Sequence, residues 1–285
     1  MNIPHRLLSL NTVFVLVFSM FLPNFATGEK RCGASERPNI VLIMADDLGY
    51  ECLGCNGGES YETPHLDRLA ATGARFTHCF VNPICTPTRV ALMTGRYNFR
   101  NYERFGTLPK NEFTFGHMMQ DAGYATCIVE KWQLDGKGGT TPDRAGFDEY
   151  YMKPGDRFNY ADPFIQDNNW ERVRHKGEYG PDLCVDYLCD FLERHEEEPF
   201  FVYHPMALTH FPFKATRDSD AWESGNRHED DWRKYMPDMV AYMDKLVGRI
   251  VGKLDELLPR IPEGDPPLPG GHQVAGAPRQ DGGIG

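Results

Sequence analysis

The sequence lacks an excess of basic residues. It carries 30 Lys and Arg against 41 Asp and Glu, a formal net charge of −11. Proteins that bind nucleic acid gain much of their affinity by neutralising phosphates, so this balance argues against a nucleic-acid partner. An anionic ligand would have to be attracted by a local site rather than by the charge of the whole chain.

Apolar runs long enough to cross a bilayer are missing after residue 28. Before that point, His5 and Arg6 precede an apolar run over residues 13–22, and small residues at 26–28 suit a cleavage site. This pattern predicts a signal peptide over residues 1–28 and export to a periplasmic, secreted or lysosomal-type compartment. The run is short for a membrane span. We therefore expect no stable membrane insertion after cleavage, with an uncleaved anchor as the alternative.

The cysteines show no second pair with zinc-finger spacing. Cys52 and Cys55 have the spacing of a zinc or redox pair, but Cys184 and Cys189 are too widely separated to complete a zinc site. Export would permit disulfides among the eight cysteines. We favour structural roles for them, with a connectivity that the spacing does not fix.

Apolar runs and helical periodicity predict an α/β fold with a central, mostly parallel sheet flanked by helices. Continuous apolar runs are typical of strands buried on both faces of such a sheet. We predict buried strands at 39–45, 124–129 and 200–205, a further strand at 74–81, and helices at 63–73, 87–95, 113–123, 179–194 and 239–258. Residues 136–180 are rich in Gly, Pro and Asp and predict an irregular excursion facing a substrate.

Charged residues follow the predicted buried strands. Asp46 and Asp47 follow the first, Lys131 the second and His210 the third. Ligand sites in parallel sheets lie beyond the carboxyl ends of the strands. Two adjacent carboxylates there repel each other unless a cation intervenes, and calcium prefers oxygen ligands. The alternative is that they cap a turn before Gly49.

Cys85 occupies another position suited to chemistry. It comes directly before the predicted helix that Pro87 starts, with Arg89 about one turn further on. A helix amino terminus presents unpaired N–H groups and a positive dipole to an anion. Cys85 is therefore either a reactive group facing an anionic substrate or a cysteine that opens a buried helix.

The Cys-x-Pro-x-Arg motif, followed by Thr-Gly-Arg at 94–96, resembles the signature of the type I sulfatases of the alkaline-phosphatase-like superfamily. In that family the cysteine is oxidised to formylglycine. Asp46-Asp-Leu-Gly-Tyr, Lys131-Trp-Gln-Leu and His210-Phe-Pro-Phe also resemble family blocks, so the resemblance covers residues 37 to about 257. Glu130 replaces a family glycine, and Gln133 replaces a histidine that could transfer a proton.

The resemblance implies hydrolysis of a sulfate ester on a sulfated small molecule or glycan. It implies that a formylglycine-generating enzyme converts Cys85, whose aldehyde hydrate then attacks sulfur. Arg89 would steady that hydrate, and Lys131 and His210 would bind the ester. Calcium would be held by Asp46, Asp47 and the modified residue 85.

The resemblance also sets domain expectations. Residues 29–258 are expected to form a partial catalytic domain, and the Pro- and Gly-rich residues 259–285 a disordered tail. The family would continue with a strand ending in Asp-Asn or Asp-His, so we expect a truncated sulfatase. The first functional hypothesis is an active exported sulfatase; the alternatives are a catalytically incomplete product, a disulfide-bonded binding protein and a phosphate or phosphonate ester hydrolase.

Overall fold

The structure, a computed structural model, describes residues 37–154, 159–226 and 228–257. The predicted signal peptide at 1–28 and the predicted tail at 259–285 lie outside the described residues. Within the described ranges, none of the helices combines the length and apolarity that crossing a bilayer requires.

The described residues form six strands and six α-helices. The strands are β1 Ile40–Met44, β2 Ala125–Lys131, β3 Glu149–Lys153, β4 Phe164–Asp167, β5 Arg172–Arg174 and β6 Phe200–Pro205. The α-helices are α1 Pro64–Thr72, α2 Cys85–Thr94, α3 Phe115–Asp121, α4 Gly180–Arg194, α5 Asp220–Glu223 and α6 Trp232–Leu257.

The strands form one sheet in the order β1-β6-β2-β3-β4-β5. The pairs β1–β6, β6–β2 and β2–β3 are parallel, whereas β3–β4 and β4–β5 are antiparallel. The prediction of a central, mostly parallel sheet is therefore confirmed. Because β1, β6 and β2 are parallel neighbours, the segments that follow them leave from the same edge of the sheet.

Helices cover both faces of the sheet. Successive residues of a strand point to opposite faces, so neighbouring residues of one strand belong to different cores. On one face Val202 and Val129 belong to a core with residues of α4 and α6. On the other face Phe201 and Ile128 belong to a core with α2 and partly buried residues of α3. This layering confirms the α/β class and explains why the central strands are apolar without alternation.

Several local predictions were wrong. β1 is half-buried along its length rather than buried on both faces, because in the described chain it pairs only with β6. Residues 74–81 form no strand and are exposed, since alternation alone supplies no hydrogen-bonding partner. The excursion at 136–180 contains β3, β4 and β5.

Two helices begin earlier than predicted. Helix α2 begins at Cys85, so Cys85 is its first residue rather than the residue before it. Helix α6 begins at Trp232 and continues through Pro237. Pro87, the third residue of α2, lies in the first turn, where the missing N–H of a proline costs little. Pro237 is the sixth residue of α6 and lies inside that helix.

Candidate active site

Cys85 lies at the amino-terminal end of α2. Ile84 precedes it in an extended conformation, and Gly95 ends the helix in the left-handed region with φ 62°. Cys85 is partly buried and is a free thiol. Its Sγ lies 3.8 Å from Oε1 of Gln133, which follows β2. Helix α2 therefore brings the cysteine to the same edge of the sheet as the end of β2.

Arg89 lies one turn further along α2 and is 1% exposed. Its Nη2 donates a hydrogen bond to the backbone oxygen of Lys131. Its Nε and Nη1 have no hydrogen-bond partner among the described residues. Buried donors without acceptors are costly, and the planar guanidinium matches the oxygens of a tetrahedral anion. Arg89 is thus suited to hold an anion near Cys85.

The ends of β1 and β2 are joined by an ion pair. Nζ of Lys131 pairs with Oδ2 of Asp46, and the two side chains are only 2% and 5% exposed. The Asp46 backbone also binds the segment after β6, because its N–H donates to Leu208 and its C=O accepts from Thr209. Asp46 therefore connects the end of β1 with the end of β2 and with the segment that follows β6.

Asp47 faces the histidine that follows β6. Its Oδ2 lies 3.6 Å from Nε2 of His210, and its backbone adopts a left-handed φ of 53°. The hydroxyl of Tyr160 donates to the backbone oxygens of His210 and Ala207 at 2.6 and 2.9 Å. Tyr160 comes from the excursion at 136–180, where sequence analysis assigned no site residue. The predicted site residues thus all lie around one edge of the sheet.

A second group of buried ionisable residues lies behind this edge, and sequence analysis missed it. Burial raises the pKa of Glu130 to about 7, lowers that of Lys153 to about 7 and lowers that of His204 to about 4. Nε2 of His204 is 3.9 Å from Oε2 of Glu130. For Glu130, the sequence offered one indication, its replacement of a family glycine. For Lys153 and His204, which lie within strands, the sequence pattern offered no indication.

Asp46 and Asp47 fit part of a calcium site. They supply adjacent carboxylates, the hard oxygen ligands that calcium takes, but calcium binds six to eight oxygens. Among the described residues, no group of three or more His, Cys, Asp and Glu side chains converges as a metal-binding cluster. The two aspartates thus form a partial ligand set, in which one oxygen of Asp46 already pairs with Lys131.

Residues 38–260 match the model of the family described as Sulfatase. N-acetylgalactosamine-6-sulfatase of Canis lupus familiaris is 33% identical over 266 residues, covering 81% of this chain and 49% of that protein. Human steryl-sulfatase is 42% identical over 128 residues, covering 40% of this chain and 22% of that protein. The chain spans about half the length of the first of these relatives.

The fold comparison agrees with the sequence comparisons. The solved structure of the protein named Ps i-CgsB superposes with a TM-score of 0.69 and 29% sequence identity, covering 78% of this chain and 56% of that one.

Proposed function

The chain belongs to the sulfatase family, and from that premise we propose that it hydrolyses a sulfate ester through a formylglycine derived from Cys85. The observation that carries the proposal is the arrangement at one sheet edge. A cysteine at a helix start lies next to a buried arginine with unused donors and to strand ends that carry Asp46, Lys131 and His210.

Each side chain then has a defined task. Nε and Nη1 of Arg89 would donate to the anion and orient it toward residue 85. The ion pair with Asp46 fixes the Lys131 side chain at the end of β2. His210 would donate a hydrogen bond to the leaving oxygen, with Asp47 orienting its ring. Gln133 can donate a hydrogen bond but cannot transfer a proton.

Two groups would complete this site. Formylglycine at position 85 would supply a hydrated aldehyde oxygen as the nucleophile. Calcium, held in part by Asp46 and Asp47, would supply positive charge facing the sulfate oxygens. The described carboxylates fit only part of such a metal site, so the full set of ligands includes groups other than these two.

The substrate class follows from the relatives' names. They are named for N-acetylgalactosamine-6-sulfate and for steryl sulfate, so we propose a sulfated glycan or a sulfated small molecule. With a net charge of −11, the chain must attract such an anion through local cations, here Arg89 and Lys131. Export through residues 1–28 and a domain spanning 29–258 remain predictions.

The test is to co-express the chain with a formylglycine-generating enzyme. Peptide mass spectrometry should show an aldehyde at position 85, and the protein should hydrolyse an aryl sulfate faster than the matching aryl phosphate. The Cys85→Ala variant should bind no aldehyde-specific hydrazide and show no turnover. An unmodified thiol at Cys85 would argue for a binding protein. An aldehyde without turnover would argue for an incomplete enzyme.

A further inference from the structure

A cleft lies beside β3, β4 and β5, next to the candidate active site. Its volume is about 250 Å³, and the residues that line it are Lys153, Pro154, Asn159, Phe164 and Arg172. Pockets that enclose a whole small ligand are typically larger. The cleft is therefore of a size to take one part of a longer molecule.

The cleft shares its edge of the sheet with the candidate active site. Lys153 is the last residue of β3, and it is paired in register with Lys131, the last residue of β2. Neighbouring strands lie about 5 Å apart, so the cleft begins one strand spacing from the Lys131 backbone. Tyr160 links the two places. Nζ of Lys153 lies 5.3 Å from the centre of the Tyr160 ring, and the Tyr160 hydroxyl donates to the backbone oxygen of His210 at 2.6 Å.

The cleft is positively charged on a chain whose net charge is −11. Arg172 and Arg174 are exposed, and neither forms an ion pair with another residue of the described ranges. Lys153 adds a cation from inside, since the residue is only 9% exposed. Burial lowers the pKa of Lys153 to about 7, and an anion in the cleft would favour its charged form. The cleft is therefore suited to bind an anion.

Phe164 gives the cleft an apolar wall. The residue is 43% exposed at the start of β4. The guanidinium of Arg174, directly opposite in β5, lies 5.8 Å from the centre of the Phe164 ring. An aromatic ring beside cations suits a sugar that carries an anionic group, because the C–H groups of the sugar pack on the aromatic face while the anionic group meets the cations. A small inorganic anion would use the cations alone.

We propose that this cleft is a second subsite, which binds an anionic sugar of a glycan whose sulfate ester lies next to residue 85. Phe164 packs against the sugar ring. Arg172, Arg174 and Lys153 bind its sulfate or carboxylate group. This inference rests on the proposed function, and it narrows the substrate to a glycan of at least two sugars. The acidic chain as a whole disfavours a nucleic acid as the occupant.

Two pairs of arginine substitutions test the subsite. Arg172→Gln/Arg174→Gln removes two charges from the cleft and leaves Phe164 in place. Both positions are exposed, so the fold should be kept. The matched control is Arg68→Gln/Arg75→Gln, which removes the same charge from exposed positions in and after α1. Helix α1 lies beside β1, at the other end of the sheet from β5.

Binding is measured first, with the unconverted thiol protein and a chondroitin 6-sulfate tetrasaccharide as the probe. In isothermal titration calorimetry, its dissociation constant should rise about tenfold in Arg172→Gln/Arg174→Gln, because contacts from two cations are lost. Phe164→Ala should raise it about threefold. The control pair should stay within about twofold of the wild type.

Three binding results would overturn the proposal. One is a wild type that binds no tetrasaccharide, and another is a dissociation constant that is unchanged in either cleft variant. The third is equally tight binding of a single-stranded DNA of the same charge that also depends on Arg172 and Arg174. The cleft would then recognise polyanions in general rather than a glycan.

Turnover is measured second, with the aldehyde-bearing protein. The quantity is the ratio of kcat/KM for the tetrasaccharide to kcat/KM for an aryl sulfate, which is too short to reach the cleft. This ratio should fall about tenfold in Arg172→Gln/Arg174→Gln and stay constant in the control pair. An unchanged ratio, or a wild type that hydrolyses the aryl sulfate alone, would overturn the second subsite. A wild type that binds the tetrasaccharide through the cleft but hydrolyses neither substrate would refute the proposed function instead.

Discussion

Lys131 and Asp46 form a buried ion pair between two strands that are not neighbours. Lys131 ends β2, Asp46 follows β1, and β6 lies between those strands in the sheet. The pair therefore bridges the end of β6. Burying both charges is costly, and their attraction offsets that cost only when the geometry is good. Removing one partner should therefore destabilise the protein much more than removing both.

The first prediction concerns this pair. Lys131→Met should lower the free energy of unfolding by about 3–5 kcal/mol, because it leaves Asp46 buried without its cation. The double variant Lys131→Met/Asp46→Asn should recover a large part of that loss. Urea unfolding of the two single variants, the double variant and the wild type measures the coupling. Additive effects of the two substitutions would show that the pair is not coupled.

The second prediction concerns Arg89. Arg89→Lys keeps the charge but loses the planar set of donors, so kcat/KM for an aryl sulfate should fall by about 100-fold, as when a donor to a developing negative charge is lost. Arg75→Lys is the control, because Arg75 is exposed and its Nη1 lies 3.5 Å from Oδ1 of Asn56. Steady-state kinetics should show the loss in Arg89→Lys alone. Equal rates in the two variants would remove Arg89 from the mechanism.

The third prediction concerns acid stability. Arg194 donates to both oxygens of Glu149, at 2.8 and 2.7 Å, and these contacts lower the pKa of Glu149 from 4.5 to about 2. The unfolded chain therefore takes up this proton first as the pH falls. The stabilisation is complete above about pH 5 and is lost between about pH 4.5 and 2. Since Arg194 is 41% exposed, we expect about 1–2 kcal/mol after solvent screening.

Unfolding by denaturant across that pH range measures the effect. Glu149→Gln should flatten the dependence between about pH 4.5 and 2. Asp190→Asn should leave it nearly unchanged, because the Asp190 side chain is 63% exposed where it pairs with Arg194. If Glu149→Gln and the wild type lose stability in parallel, another carboxylate is responsible.

The sequence predicted the parts of the fold that depend on continuous apolar runs. β6 has the predicted bounds, and β2 differs from its prediction by one residue at its start and two at its end. Because the residues at the ends of parallel strands meet at one edge, the strand positions of Lys131 and His210 were enough to place them there. Short antiparallel strands such as β5 were missed, since three residues carry too little periodicity to detect.

Contacts made by side chains across the fold could not be predicted in the same way. Tyr160 supports the His210 segment from a stretch with no periodic pattern. His204 and Lys153 are buried within strands, where a polar residue in an apolar run does not reveal its partner. The ion pair of Asp46 with Lys131 depends on the order of strands in the sheet, and sequence order alone does not give that order.

The last prediction concerns the exposed segment after α1. Phe76, Phe80 and Val81 are 77%, 89% and 72% exposed, and Phe76 and Phe80 also line an open groove of about 900 Å³ beside α1. An apolar patch of this kind promotes association, so the isolated chain should self-associate as its concentration rises. Phe76→Ser/Phe80→Ser should weaken the association, measured by sedimentation velocity. The control is Trp170→Ser. Trp170 is 50% exposed and lies outside this segment, so its substitution should not weaken the association. A wild-type chain that stays monomeric and unfolds cooperatively would show that this patch does not drive association.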